Sequence, residues 1–244
     1  MSKKRHSQRP IPSLIIDTVS GSYAEAYRSL RTNVAFAELG SRVRTIVITS
    51  PNPRDGKTTV SSNLAIACAQ SGKRVVLIDA DLRRPLQHRI FQVSNELGLV
   101  YSLSSDSGLN GNLVQTQVPN LTLLTSGPVP ANPTELLGSE TMRSTLAKLK
   151  EHFDIIILDS PPILADADTS VLVRMVDGVL LVLHAGKTPR AAAELAVKQL
   201  RKASANILGV ILNNIDFDRE GYYYQYYYSY YDKEYASDKP VWAE

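Results

Sequence analysis

The chain has 244 residues, 43% of them hydrophobic, and 27 Lys and Arg against 24 Asp and Glu give a formal net charge of +3. Such a length and hydrophobic share suffice for one sizeable core, and so small a charge excess implies no nucleic-acid partner. The only cysteine, Cys68, excludes an internal disulfide and fits a reduced, cytoplasmic compartment, while no apolar run reaches the roughly 20 residues of a membrane span.

Residues 1–20 read as a flexible leader. The start, MSKKRHSQRP, is basic, yet no apolar segment follows it as in a secretory signal, and Pro10 and Pro12 oppose regular structure. From Ser22, a capping residue type, YAEAYRSLRTNVAFAEL predicts a helix that Gly40 ends. Its Glu25, Arg28 and Arg31 share one face at three-residue steps; by themselves they describe a solvated charged stripe or a charged interface.

Strand and helix signals then alternate. RTIVITS (44–50) is β-branched and apolar on both faces, as a buried parallel strand requires. TTVSSNLAIACAQSG (58–72) reads as a helix closing on Gly72, RVVLIDA (74–80) as the next strand and LTLLTSG (121–127) as another. TMRSTLAKLKEHF (141–153) carries apolar residues at helical spacing, and DIIILDS (154–160), GVLLVLHA (178–185) and NILGVILN (206–213) supply three more strands. Helices are expected over 166–176 and 188–204. The alternation predicts an α/β fold, a doubly wound parallel sheet of the P-loop NTPase kind, in one domain over 21–216.

Beyond it, 217–244 reads as a disordered tail. Nine of the chain's 12 tyrosines fall here: Tyr222, Tyr223, Tyr224, Tyr226, Tyr227, Tyr228, Tyr230, Tyr231 and Tyr235. Neither a strand nor a helix buries phenol on every side, and each hydroxyl needs water or a partner.

The strand at 44–50 runs into SPNPRDGKTT and then a helix, the arrangement that cradles phosphates on backbone N–H groups at a helix start. Pro53, Arg54, Asp55, Gly56, Lys57, Thr58 and Thr59 form this expected cofactor-binding loop. Lys57 would reach the terminal phosphates of ATP, and the Thr58 hydroxyl would sit on Mg²⁺. Asp79 and Asp81 end one strand and Asp159 ends another, where ligands bind in parallel sheets. One of the Asp79–Asp81 pair can hold Mg²⁺ while the other takes a proton. Asn213, at the end of the last strand, is placed to read adenine or simply to make a turn. His6, His88, His152 and His184 are scattered, without ligand or triad spacing, and His184 is expected to be structural.

In this order the motifs make the chain similar to the bacterial tyrosine kinases (BY-kinases) of the capsular and exopolysaccharide type, over essentially residues 17–235. SPNPRDGKTT resembles that family's Walker A loop, LIDADLRRP its Asp-x-Asp-x-Arg motif with Asp79, Asp81 and Arg83, and IIILDSPP its Walker B motif. GPVPANPTELLGS (127–139) and DGVLLVLHAGKTPR (177–190) are close to its connecting segments. Glu25, Arg28 and Arg31 match its E-x-x-R-x-x-R subunit-contact motif, and the tyrosine run looks like its autophosphorylated tail. One departure stands out: Arg54 occupies the first glycine position of Pro-Gly-x-Gly-Lys, so it carries strain if that position needs φ > 0, and is expected to face solvent.

The resemblance implies an ATP·Mg²⁺-dependent autokinase. Thr58, Asp81 and Asp159 surround the metal, Asp159 through a water, and Asp79 is the base. The tail is phosphorylated in trans inside a ring-like homo-oligomer. It also implies a membrane activator or polysaccharide co-polymerase, other tyrosine-containing protein substrates, a cognate tyrosine phosphatase, and a place at the inner face of the membrane. Two other readings share the loop. One is an ATPase switch resembling ParA and MinD, which carry a lysine where Asn52 stands here; the other is an ATP-binding scaffold whose tail recruits partners.

Overall fold

The computed structural model describes residue 14 and residues 21–37, 43–105, 108–109 and 111–215. The rest of the 1–20 leader, the expected helix stop at Gly40 and the tail from 217, with its nine tyrosines, lie outside the described residues.

Three groups of elements follow one another along the chain. The first is α1 (Ser22–Ala37), β1 (Thr45–Thr49), α2 (Lys57–Gln70), β2 (Val75–Asp79) and α3 (Gln87–Ile90). Next come α4 (Leu99–Ser104), β3 (Leu113–Gln115), β4 (Leu121–Leu124), α5 (Pro133–Leu137) and α6 (Glu140–His152). The last are β5 (Ile155–Asp159), α7 (Asp168–Leu172), β6 (Gly178–His184), α8 (Arg190–Lys202) and β7 (Ile207–Asn213). The sheet runs β3-β4-β2-β5-β1-β6-β7.

All its pairs are parallel except β3 with β4. The antiparallel β3 is a three-residue edge that had no strand signal of its own, because Leu113–Gln115 is too short for alternation to register. The short helices α3, α4 and α5 escaped for the same reason. The helix expected over 166–176 is confined to Asp168–Leu172. At its end, Met175 N already closes a tight turn back to Leu172 O (2.9 Å).

Each central strand is buried on both faces, and its alternate residues feed two cores. Ile46, Ile48, Leu77 and Ile157 meet α1 and α2, where Ala24, Tyr27, Leu64 and Cys68 pack. Val47, Val76, Ile156 and Leu158 meet the other layer, with Leu99, Leu137, Leu146, Leu172 and Leu200 from α4 to α8. Continuous Val/Ile/Leu runs are the signature of strands covered on both sides.

This topology positions the site. β1 and β5 lie side by side, yet β1 leads across β5 to β2, while β5 leads across β1 to β6. Their loops diverge at the carboxyl ends and leave a crevice there. Register adds a second constraint: Asp79 of β2 is paired level with Asp159 of β5.

One crevice wall is the loop 128–133 after β4, anchored where Leu99 N and Val100 N donate to Thr125 O (2.7 Å) and Ser126 O (2.9 Å). The chain approaches so closely that a Cβ on Gly98 would collide with the Thr125 carbonyl and lie 2.5 Å from Gly127 N. Gly98→Ala should therefore destabilise by about 1–3 kcal/mol, the usual cost of forced overpacking. Urea denaturation with an unchanged midpoint would contradict this close approach.

Candidate active site

The loop between β1 and α2 is held by its own side chains. Asp55, buried within it, accepts from Asn52 N (2.9 Å) and from Thr188 Oγ1 (3.0 Å). Thr188 in turn accepts from His184 N (2.8 Å), which gives the end of β6 its structural task. From the end of β7, Asn213 Nδ2 donates to Asp55 O (3.1 Å). Gly56 adopts φ 101°, and a Cβ there would collide with Asn213 Nδ2, so only glycine fits. Arg54 does take a left-handed φ, 73°, and is exposed. The start of α2 has no side-chain cap, so its first N–H groups remain available at the positive end of the helix.

Lys57 opens α2 and turns into the carboxylate cluster. Its Nζ donates to Asp81 Oδ2 (2.9 Å) and Thr58 Oγ1 (3.2 Å), and lies 3.6 Å from Asp159 Oδ1. Asp81 can do this because the chain stops being extended after β2: Arg84 N donates to Asp81 O and Oδ1 (both 3.1 Å), closing a turn.

Asp79 is fully buried, its Oδ2 accepting from Leu86 N and Gln87 N (both 2.9 Å). The Gln87 side chain, which sequence reasoning missed, donates through Nε2 to Asp159 Oδ2 (3.0 Å) and Ser61 Oγ (3.0 Å) and accepts from Ser62 Oγ (2.8 Å). No local pattern marks it; only the register of β2 and β5 brings it between the two carboxylates. Two buried oxygens, Asp79 Oδ1 and Asp159 Oδ1, have no hydrogen-bond partner.

Charge follows from this burial. Burial alone would depress the Lys57 ammonium, but Asp159 and Asp81 outweigh it and hold it above the ordinary lysine value. Burial, then the adjacent Asp159 charge, pushes the Asp79 carboxyl up to about 7. Asp159 is also raised, by burial first, with Lys57 opposing. Three carboxylates face a single ammonium here. That excess, with two open carboxylate oxygens and the Thr58 hydroxyl, fits a divalent cation. Among the described residues no cluster of His, Cys, Asp or Glu forms a metal cage by itself. Mg²⁺ suits such a site, since it ordinarily relies on phosphates and water beside one or two carboxylates.

In front lies a cleft of about 720 Å³, within the roughly 300–1,000 Å³ of small-molecule sites. Pro53, Arg54, Gly56, Lys57, Thr58, Thr59 and Asp81 line it, whereas Asp55, Asp79, Asp159 and Asn213 do not. Asp79 and Asp159 sit behind the wall. On its rim, Arg83 is tied to Asp168 (2.8 Å) and Asp166 (3.5 Å). Glu25 and Arg28 pair within α1 (2.8 Å), and with Arg31 they are not part of the cleft.

Residues 43–209 match the AAA domain family. The chain is 39% identical over 203 residues to the tyrosine-protein kinase YwqD of Bacillus subtilis, covering 82% of this chain and 86% of that protein. Its structure resembles the kinase domain of Escherichia coli tyrosine kinase ETK, with a TM-score of 0.82 and 39% identity over 91% of this chain and 90% of that one. It spans 30% of the whole Escherichia coli kinase etk. A more distant likeness is the septum site-determining protein MinD of Pyrococcus horikoshii, complexed with Mg-ADP, at TM-score 0.59 and 26% identity over 69% of each chain.

A carboxylate whose folded pKa is raised costs stability once pH exceeds its ordinary value near 3.9, and the cost grows until pH passes about 7. Asp79→Asn, in EDTA, should therefore stabilise the fold more at pH 8 than at pH 5. The expected difference is on the order of 1 kcal/mol, about 2–4 °C in Tm. Thermal melts showing the same change at both pH values would mean that Asp79 carries no such penalty.

Proposed function

The chain belongs to the bacterial tyrosine-protein kinases, and from that membership we propose that it transfers the γ-phosphoryl group of ATP to tyrosine hydroxyls, those of its own tail included, in the control of capsular or extracellular polysaccharide synthesis and export. The observation that carries this reading is the braced phosphate loop whose Lys57 is set against Asp81 and Asp159 at the mouth of the cleft.

In the proposed reaction the loop N–H groups and Lys57 hold the β- and γ-phosphates. A tyrosine phenol gives up its proton, with Asp79 behind the cleft wall as the base, as its Oη bonds to the γ-phosphorus and the bond to the bridging oxygen breaks with the electron pair leaving on ADP. Thr58 and Asp81, with Asp159 through a water, would hold Mg²⁺, which would supply neutralisation of the phosphate charge. A carboxyl raised toward neutrality is a suitable base, because phosphoryl transfer demands mainly positioning and charge compensation.

The acceptor tail comes from a neighbouring copy, in a ring that uses Glu25, Arg28 and Arg31. A membrane activator or polysaccharide co-polymerase holds the kinase at the cytoplasmic face of the membrane, where other proteins are further tyrosine substrates. A cognate phosphatase resets the tail. Among the described residues no helix is long and apolar enough to cross a membrane. Each added phosphate brings about −1.5 to −2 charges, so heavily modified tails repel one another and the ring comes apart. Light scattering on the fully phosphorylated protein should show the monomer; a persistent oligomer would sink that idea.

The likeness to a Mg-ADP-bound MinD keeps an ATPase switch as the second reading. Intact-mass spectrometry after incubation with ATP and Mg²⁺ separates the two. Phosphates should accumulate on Tyr222–Tyr235 of the wild type and not on Lys57→Met. ATP turnover without phosphoprotein would favour the switch, and ATP binding without turnover the scaffold.

A further inference from the structure

We propose that the outer half of the cleft is a seat for a tyrosine beside a carboxylate, with Arg84 reading that carboxylate. In the tail, the seat selects Tyr231, which precedes Asp232, and Tyr235, which follows Glu234, over the run from Tyr222 to Tyr228. The proposal rests on the kinase reading above and names what the same site recognises.

The walls are the first observation. Away from the phosphate loop the cleft is lined by Leu86, Val129, Pro130, Pro133, Pro161 and Pro162, rigid and apolar side chains. Val129 is 63% exposed and presents an apolar surface to the cleft. A phenol ring suits such walls, whereas a serine or threonine leaves them wet.

Their place is the second. These walls follow β2, β4 and β5, on one side of β1, whereas Asn213 lies on β7, on the other. The phosphate loop stands between. A nucleotide whose base lies toward Asn213 therefore leaves the walled half for the acceptor.

The third observation is charge. Arg83 and Arg84 are neighbours on the rim and both exposed, but they are not equivalent. Arg83 is bound by Asp166 and by Asp168, and Asp168 also accepts from Thr134. Arg84 has no carboxylate within 4.0 Å among the described residues. The turn joining Asp81 to Arg84 keeps their Cα atoms within about 7 Å. An extended peptide advances about 3.3–3.6 Å per residue, so a residue next to a tyrosine docked by Asp81 comes within reach of Arg84. In the tail, GYYYQYYYS (221–229) has no acidic residue, whereas YSYYDKEYAS (228–237) has two.

The test uses these two peptides, fluorescein-labelled, with the whole protein in ADP and Mg²⁺, read by fluorescence anisotropy. The 228–237 peptide should bind two- to fivefold tighter, the reach of one partly exposed ion pair. Arg84→Glu should abolish that preference, and a peptide carrying Asp232→Lys and Glu234→Lys should regain it on this variant. Circular dichroism confirms that the variant is folded, and the uncharged Val129→Ser should weaken both peptides alike. Equal affinities in the wild type, an unchanged preference in Arg84→Glu, or displacement of the peptides by adenosine would each overturn the proposal. Failure of the kinase reading shows separately, as no phosphate on either peptide when ATP replaces ADP.

Discussion

An ammonium buried to 8% exposure must be compensated on the spot, and at Lys57 two carboxylates from different strands do so. Asp81 contributes the shorter contact and Asp159 the longer. Because Asp81 follows β2 and Asp159 ends β5, while Lys57 itself begins the helix after β1, the charge cluster ties three strand ends together. The ammonium is the member the arrangement cannot lose: removing it leaves buried carboxylates uncompensated, typically at about 3–5 kcal/mol. What stabilises the fold here is also what a triphosphate would meet.

The cluster is over-supplied with negative charge, and the surrounding polar groups differentiate its members. Backbone N–H groups at the start of α3 hold one oxygen of Asp79, and the Gln87 amide holds one oxygen of Asp159. Each carboxylate thus keeps its other oxygen without a hydrogen-bond partner. Asp55 performs the complementary task in the loop, where its two oxygens tie Asn52 and Thr188 and leave the loop's shape independent of any ligand. A preformed loop and a poised carboxylate pair make a site whose geometry precedes its substrates.

Much of this was legible in the sequence because it is written in local chemistry. Apolar runs such as Ile155–Leu158 announced strands buried on both faces, and Gly56-Lys57-Thr58 at a strand-to-helix junction announced the phosphate loop. Arg54 at a left-handed φ, facing solvent, agrees with the strain expected when it replaced a glycine. The failures share a cause. β3, α3, α4 and α5 are too short for any periodicity, and the helix at Asp168 stops at a turn from Leu172 O to Met175 N that no local pattern foretells. Gln87 looked like an ordinary polar residue of a connecting segment. Its role depends on Asp79 and Asp159 standing level in the sheet, which is a fact of register, invisible in one dimension.

Asn213 is both the last residue of β7 and the side chain that grips the phosphate loop from behind. Among the described residues β7 is an edge strand, held along one side by β6 up to the His184–Asn213 pair. Any segment continuing from residue 215 is consequently anchored to the protein at the point where the loop is braced. In mechanical terms the strand is a stressed member with its load applied at the joint. Tension along the tail is borne in shear by the β6–β7 ladder, and Asn213 is the first pair to feel it. A pull too weak to unzip the strand still acts on Asp55 O, and so on the backbone that shapes the phosphate site.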